Sequence, residues 1–319
     1  MKTLIHHSGA LGDTLLSFPC FHAIKADSET LHFAGRTDIA ALLNETGIAD
    51  ASDASDRAVW TPLYASGISA ALEYLKQFER AFVFTADPDS AIVENIRASI
   101  PRTHTVRTIP PIGSSIPIAL FRLLQVCPNP LPAFVSPRLH IPRMHQEYAR
   151  SSLQSAATNT ASQLIAIHPG SGGKSKCWPL ERFFELVDTV QSVFSPTVVF
   201  FSGPAEDDVF KKRISRFASS RDNILHIQDT KLIHASAILC LCTLFIGNDS
   251  GFSHLASAVH CPTITLFGPT DPKLWKMTDG DREIVLSSFP GSIDEIQVVQ
   301  VYEQASYAFR REAARYGLA

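Results

Sequence analysis

No two of the six cysteines, at positions 20, 127, 177, 240, 242 and 261, stand at a C-x-x-C spacing. That absence excludes the common zinc ribbons and dithiol redox motifs, and most of the six lie within apolar runs instead of a disulfide framework, so a reducing cytoplasm is expected. No apolar stretch approaches the roughly 18 residues that a membrane-spanning helix needs. Any membrane contact is therefore expected to be peripheral. The opening MKTLIHHSGALGD has one brief apolar run before two histidines and an acid, which predicts a first strand and no signal peptide. An excess of basic charge is missing as well. Lys and Arg number 28 against 31 Asp and Glu, a net charge of −3, which argues against a nucleic-acid partner.

Missing motifs narrow the chemistry. The twelve histidines form no H-E-x-x-H, and the two D-x-D triplets, Asp87-Pro88-Asp89 and Asp279-Gly280-Asp281, have the composition of plain turns. No metal is expected. The first strand-to-helix turn, Ser8-Gly9-Ala10-Leu11-Gly12-Asp13-Thr14, lacks the G-x-G-x-x-G spacing of dinucleotide sites, which speaks against a dehydrogenase. Gly173-Lys174-Ser175 invites a P-loop reading that fails: the first glycine of G-x-x-x-x-G-K-[ST] would fall on His168, and Pro179 sets the helix start beyond both lysines.

What is present is alternation. At 319 residues, 45% hydrophobic and 18% charged, the chain has material for about two domains. Short apolar runs (Thr3 to His6, Leu31 to Ala34, Ala81 to Thr85, His104 to Arg107) alternate with amphipathic stretches (Thr14 to Ala26, Asp38 to Thr46, Ser69 to Arg80, Ser90 to Ser99), which predicts an α/β fold with a parallel sheet. Eight prolines between Pro110 and Pro142 interrupt the pattern. A helix from Arg143 then trails into a Ser/Thr/Asn/Ala linker, so the domains are expected at 1–160 and 161–319. A second series of strands and helices follows from Leu164. It ends in a long amphipathic helix from about Ile293 to Arg315, expected to reach back to the first domain. Two doubly wound halves place their polar turns at the carboxyl ends of the strands, where ligands bind in such sheets.

The stretch Leu244 to Pro272 carries the densest chemistry: a buried strand, a polar turn, a short helix, a second strand and a Gly-Pro-Thr-Asp-Pro loop. Asp249 and Ser250 can cap the helix, and Gly251 lets a ligand approach the backbone. The same turn can instead offer free amides and the positive dipole end to a phosphate, with His254 on the first turn as a further donor. Lys176, held beside Trp178 just before a helix, is placed to neutralise a diphosphate, whereas Lys174 is expected in solvent. Glu206, after Ser202-Gly203-Pro204-Ala205, can accept the hydroxyls of a ribose or simply favour the helix dipole. Asp13 reads either as a helix cap or as a general base.

Taken together, Gly12-Asp13 with Pro19 downstream, the His168-Pro169-Gly170 loop running to Lys176-x-Trp178-Pro179, and Gly247-Asn248-Asp249-Ser250-Gly251-Phe252-Ser253-His254-Leu255-Ala256 with Phe267-Gly268-Pro269-Thr270-Asp271-Pro272 resemble glycosyltransferase family 9, the ADP-heptose:lipopolysaccharide heptosyltransferases. The order and separation fit over nearly the whole chain. The resemblance implies a GT-B architecture: two Rossmann-like domains facing across a cleft, with the nucleotide donor on the C-terminal one. It implies a metal-independent, inverting transfer from an ADP-sugar to a lipid-linked or core oligosaccharide acceptor, with closure of the domains to exclude water. Asp13 would deprotonate the acceptor. Ser171, Lys176, Asp249, Ser250, Gly251 and His254 would form the diphosphate site; Glu206 would hold the ribose; Thr230 and Leu232, in the turn Asp229 to Leu232, would border the adenine. Arg36, Arg97, Arg102, Arg107 and Arg122 could meet acidic groups of the acceptor, although scattered arginines are ordinary surface. Two rivals remain at this stage, a sugar-nucleotide epimerase on the same plan and a non-catalytic nucleotide-binding relative.

Overall fold

Short β-branched and aromatic runs that end in polar turns fold here into two parallel sheets. The computed structural model describes residues 1–57, 59–65, 70–130, 138–156, 163–276 and 282–315, and they form two compact units, Met1–Leu139 and His140–Ala319.

In the first unit, strands β1 (Lys2–His7), β2 (Thr30–Gly35), β3 (Ala51–Ala54), β4 (Arg80–Thr85) and β5 (Thr103–Arg107) make one sheet in the order β3-β2-β1-β4-β5. Every pairing is parallel, as the alternation predicts. Parallel strands are covered on both faces, and β1 and β4 accordingly bury nearly every side chain. Strand β3 was not expected. Its sequence, ASDA, has neither length nor β-branched residues, and it forms because β2 offers it a free edge.

The helix expected from Thr14 to Ala26 is two pieces, Leu11–Leu15 and Phe18–Ala26. Pro19 cannot donate to the carbonyl one turn back, so the chain breaks at Leu16 and Ser17. The first piece starts three residues earlier than expected. Asp13 therefore sits inside its first turn, and the capping position belongs to Ala10.

The second unit has six parallel strands: β6 (Leu164–His168), β7 (Thr197–Ser202), β8 (Ile224–Gln228), β9 (Leu244–Asn248), β10 (Thr263–Phe267) and β11 (Glu283–Ser287). Their order is β11-β10-β9-β6-β7-β8, the dinucleotide-fold order, in which the winding reverses between the two central strands. Here those strands are β6 and β9, and the His168-Pro169-Gly170 and Asn248-Asp249-Ser250 turns leave their carboxyl ends.

The helix Arg143–Ala156 packs against Leu232–Leu239 and so belongs with this second unit. The expected final helix is a short 3-10 turn, Ile293–Glu295, started by a Ser292/Glu295 capping box, then Val298–Arg315. That last helix lays Val301, Ala305, Ala308 and Phe309 into the core of its own unit, against Leu180–Phe194 and strands β9 and β10. The Asp279-Gly280-Asp281 triplet lies outside the described residues, while Asp87-Pro88-Asp89 is a turn in which the Asp87 carboxylate accepts the Asp89 amide at 3.1 Å.

Each unit buries a histidine on a central strand. Burial lowers His6 in β1 and His168 in β6 to about 4. Because both take up protons less readily folded than unfolded, the stability they allow is present above about pH 6.5 and is lost as pH falls toward 4, at a rate on the order of 1 kcal/mol per pH unit for each group. The urea midpoint is expected to drop clearly between pH 7.5 and pH 5; an unchanged midpoint would contradict this burial.

Candidate active site

In the first unit the site is built on the turn after β1. Gly9 donates its amide to His7 Nδ1 at 3.1 Å, which makes Nδ1 the acceptor and leaves the proton on Nε2, 3.2 Å from Ser17 Oγ. A Cβ on Gly9 would lie 2.6 Å from the His7 ring and 2.9 Å from Asp13 Cβ, so only glycine fits there. Ser17 Oγ passes the chain on to the Asp13 carbonyl at 3.1 Å.

Arg122 closes the network. It comes from the helix Ile118–Val126 and is 0% exposed. Its guanidinium donates to the Thr108 carbonyl from two nitrogens (2.9 and 2.8 Å), to the Asp13 carbonyl, to Ser17 Oγ at 2.9 Å and to Asp13 Oδ1 at 3.1 Å. Burial pulls its proton affinity down and the Asp13 carboxylate pushes it back up. Asp13 is fixed through one carboxylate oxygen while its side chain stays 41% exposed. A carboxylate held in place and open to solvent can accept a proton from a bound hydroxyl.

Two expectations change here. Asp13 does not cap the helix. Arg122 is no surface arginine for an acceptor; it is a buried group that positions Asp13, and its placing between apolar residues in IALFRLLQV was the signal. Of the other arginines named, Arg36 pairs with Asp38 and Arg97 donates to Thr105 Oγ1.

In the second unit the β6 and β9 turns are sewn together by Asn248, a buried side chain that sequence reasoning left without a role. Its Oδ1 accepts the Trp178 amide at 3.0 Å and its Nδ2 donates to the Pro169 carbonyl at 2.8 Å. Ser171 Oγ donates to the Asp249 carbonyl at 2.8 Å. The Asp249 carboxylate, 4% exposed, takes Lys176 Nζ at 2.8 Å and Thr270 Oγ1 at 2.7 Å, and His254 Nε2 stands 4.0 Å away. Lys176 also lies 5.6 Å from the centre of the Trp275 ring.

Neither Asp249 nor Ser250 caps the helix Gly251–Ala258 as expected. Asp249 is committed to Lys176 and Thr270, and Ser250 holds the capping position with no side-chain bond to the helix. The first turn therefore carries no side-chain cap, and the Ser250 hydroxyl is buried without a hydrogen-bond partner. Uncapped amides, an unpaired buried hydroxyl and a neighbouring ammonium group are the elements of an anion site. Lys174 is exposed, as expected.

Glu206 lies on the other side of the same loop. One carboxylate oxygen accepts the Gly203 amide at 2.6 Å and the other is 3.8 Å from His168 Nε2. Burial raises its proton affinity. Asp207 caps the following helix, accepting the Phe210 amide at 2.8 Å, and Glu206 stands one residue before that cap. Thr230 and Leu232 are half-buried after β8, beside Asp229, which has φ 47° and pairs with Lys211. A Cβ on Gly170 would lie 1.9 Å from Glu206 Oε1. The absence of a side chain at Gly170 is thus what leaves room for the Glu206 carboxylate. Among the described residues no group of three or more His, Cys, Asp or Glu side chains could hold a metal ion.

Residues 133–299 match the model of "Glycosyltransferase family 9 (heptosyltransferase)". The chain is 32% identical over 113 residues to lipopolysaccharide heptosyltransferase 3 of Escherichia coli K12, an alignment covering 35% of this chain and 33% of that protein. It thus spans about a third of the length of the curated relatives it matches. The solved structure of E. coli ADP-heptose lps heptosyltransferase II superposes over 98% of this chain and 99% of that one, with a TM-score of 0.79 at 17% identity. The iron-containing dodecameric glycosyltransferase TibC of enterotoxigenic E. coli gives a TM-score of 0.58 at 14% identity, covering 97% of this chain and 76% of that one. These structural likenesses establish the GT-B fold. With the family model covering more than half of its length, the chain belongs to glycosyltransferase family 9, the heptosyltransferase family.

Proposed function

We propose that this chain transfers heptose, or a related sugar, from an ADP-sugar to a lipopolysaccharide core or related glycan, with inversion and without a metal. The observation that carries the reading is the uncapped start of the helix Gly251–Ala258, with the unpaired Ser250 hydroxyl next in the chain to Asp249, whose carboxylate holds Lys176. In this reading the donor diphosphate takes the amides at Ser250 and Gly251, the Ser250 hydroxyl, Lys176 and His254, with Ser171 shaping the turn. Asp249, as a carboxylate, acts on the phosphate only by aiming Lys176 and Thr270. Glu206 takes the ribose hydroxyls, and Thr230 and Leu232 border the adenine.

The acceptor hydroxyl gives its proton to Asp13 as its oxygen attacks the anomeric carbon. The bond from that carbon to the diphosphate breaks, and ADP leaves with the electron pair. Attack opposite the leaving group inverts the centre. Charge grows on the diphosphate in the transition state, so donors fixed there accelerate the step more than equal contacts to the resting sugar. In this reading the enzyme works in the cytoplasm with at most peripheral membrane contact; no helix among the described residues is long and apolar enough to cross a membrane. The iron named in the TibC relative is that protein's own, and this reading routes no step through a metal.

Calorimetry with ADP, UDP and GDP tests the donor. ADP is expected to bind at least about tenfold tighter than the others, roughly 1.4 kcal/mol; equal affinity for all three would remove the adenine assignment. A sugar-nucleotide epimerase would convert the donor with no acceptor present, whereas a transferase leaves donor alone nearly untouched.

A further inference from the structure

One surface of the first unit takes no part in the proposed reaction. Between Glu94 and Glu147 the chain has 52 residues without a single Asp or Glu, although the whole carries 31; six arginines fall in the same span. Within it, the segment after β5 exposes three isoleucines: Ile109 at 59%, Ile112 completely and Ile116 at 41%. Leu124, on the helix that follows, is exposed as well. Single exposed apolar residues are ordinary, but three in eight residues are not.

The segment is shaped to show them. The Ser114 amide donates to the Pro111 carbonyl at 3.1 Å across a turn whose third residue, Gly113, has φ 84° with nothing within 4 Å of a Cβ there. This left-handed position suits glycine and puts Ile112 at the tip. Pro110, Pro111 and Pro117 have no amide hydrogen, which lowers the cost of moving this backbone out of water. The base of the segment is fixed: Gln125 brackets the Arg107 backbone at 2.9 and 3.0 Å, and Arg122 grips the Thr108 carbonyl with the same guanidinium that holds Asp13.

We infer that residues 109–116 dock on a lipid bilayer surface, inserting Ile109, Ile112 and Ile116 shallowly and bringing exposed Arg107 to anionic headgroups. The inference deepens the proposed function by supplying the surface on which a membrane-anchored acceptor is met. A protein partner fits less well, because a projecting tip of three side chains cannot bury the roughly 800 Å² per partner of a stable interface. Insertion into an interface needs no shaped partner. Asp87 and Asp89 stand exposed in the turn after the neighbouring strand β4, so the apolar tip supplies most of the binding and Arg107 adds a salt-dependent part.

The test is sedimentation of the full chain with vesicles of phosphatidylcholine alone and with 30% phosphatidylglycerol, without donor or acceptor, so that it stands or falls separately from transfer. Wild type is expected to bind, more tightly to the anionic vesicles. Ile112→Ser should weaken binding about tenfold, Ile112→Leu should restore it, and Arg107→Gln should abolish the preference for anionic lipid. Ile112 is exposed, so an unchanged melting transition is expected for its variants. Wild type remaining in the supernatant with both vesicles overturns the proposal, as does Ile112→Ser binding like wild type. If the chain self-associates without binding vesicles and Ile112→Ser makes it monomeric, the tip joins copies of the chain and the lipid assignment is wrong.

Discussion

Asp13→Asn is expected to lower the rate of sugar transfer by roughly a hundred- to ten-thousandfold, the usual worth of a positioned base, and to leave ADP affinity unchanged. Asparagine is the right replacement because its amide oxygen can still accept from Arg122, so the network around Ser17 and Thr108 survives. Alanine would leave a buried guanidinium short of its counter-charge, and lost activity could then follow from local unfolding. Single-turnover kinetics with calorimetry on the same preparation separate the two. Turnover close to wild type would remove Asp13 from the chemistry.

Lys176→Ala is expected to weaken ADP binding by more than the contact it deletes. A charge-assisted contact is worth about 1.5–3 kcal/mol, roughly ten- to a hundredfold in affinity. In addition, Asp249 loses its cation while remaining nearly buried, with Thr270 as its remaining close hydrogen-bond donor. Its carboxylate is then free to turn to the uncapped amides of the Gly251–Ala258 helix and compete with the phosphate for them. The double change Lys176→Ala/Asp249→Asn should recover part of the affinity. Calorimetry of the cycle reads this directly: purely additive effects would mean that the two residues do not act on the phosphate together.

Much of this was legible in the chain itself. Strands β6 and β7 fall on the predicted residues because LIAIH and TVVFFS are continuous apolar runs between turn signals, the pattern of a strand covered on both faces. Strand β3 was not legible, since ASDA is recruited by a neighbouring edge. Nor was the break at Leu16 and Ser17, although Pro19 marked it. At the site, the residue types and their turns could be read from spacing, while their partners could not. That Asp249 faces Lys176 across 73 positions, or that Arg122 reaches Asp13 across 109, follows from sheet order and packing alone. The same limit explains why Arg122 was counted among surface arginines and why Asn248 drew no role.

Acceptor-dependent release of ADP is the decisive observable for the proposed transfer. The chain is incubated with ADP-heptose and a metal chelator, with and without a lipopolysaccharide-core acceptor, and the product is examined for the configuration of its new glycosidic bond. The predicted result is ADP released only when acceptor is present, at a rate the chelator does not change, with the anomeric centre inverted. Donor converted or hydrolysed equally well without acceptor, or a product that keeps the donor's configuration, would contradict it.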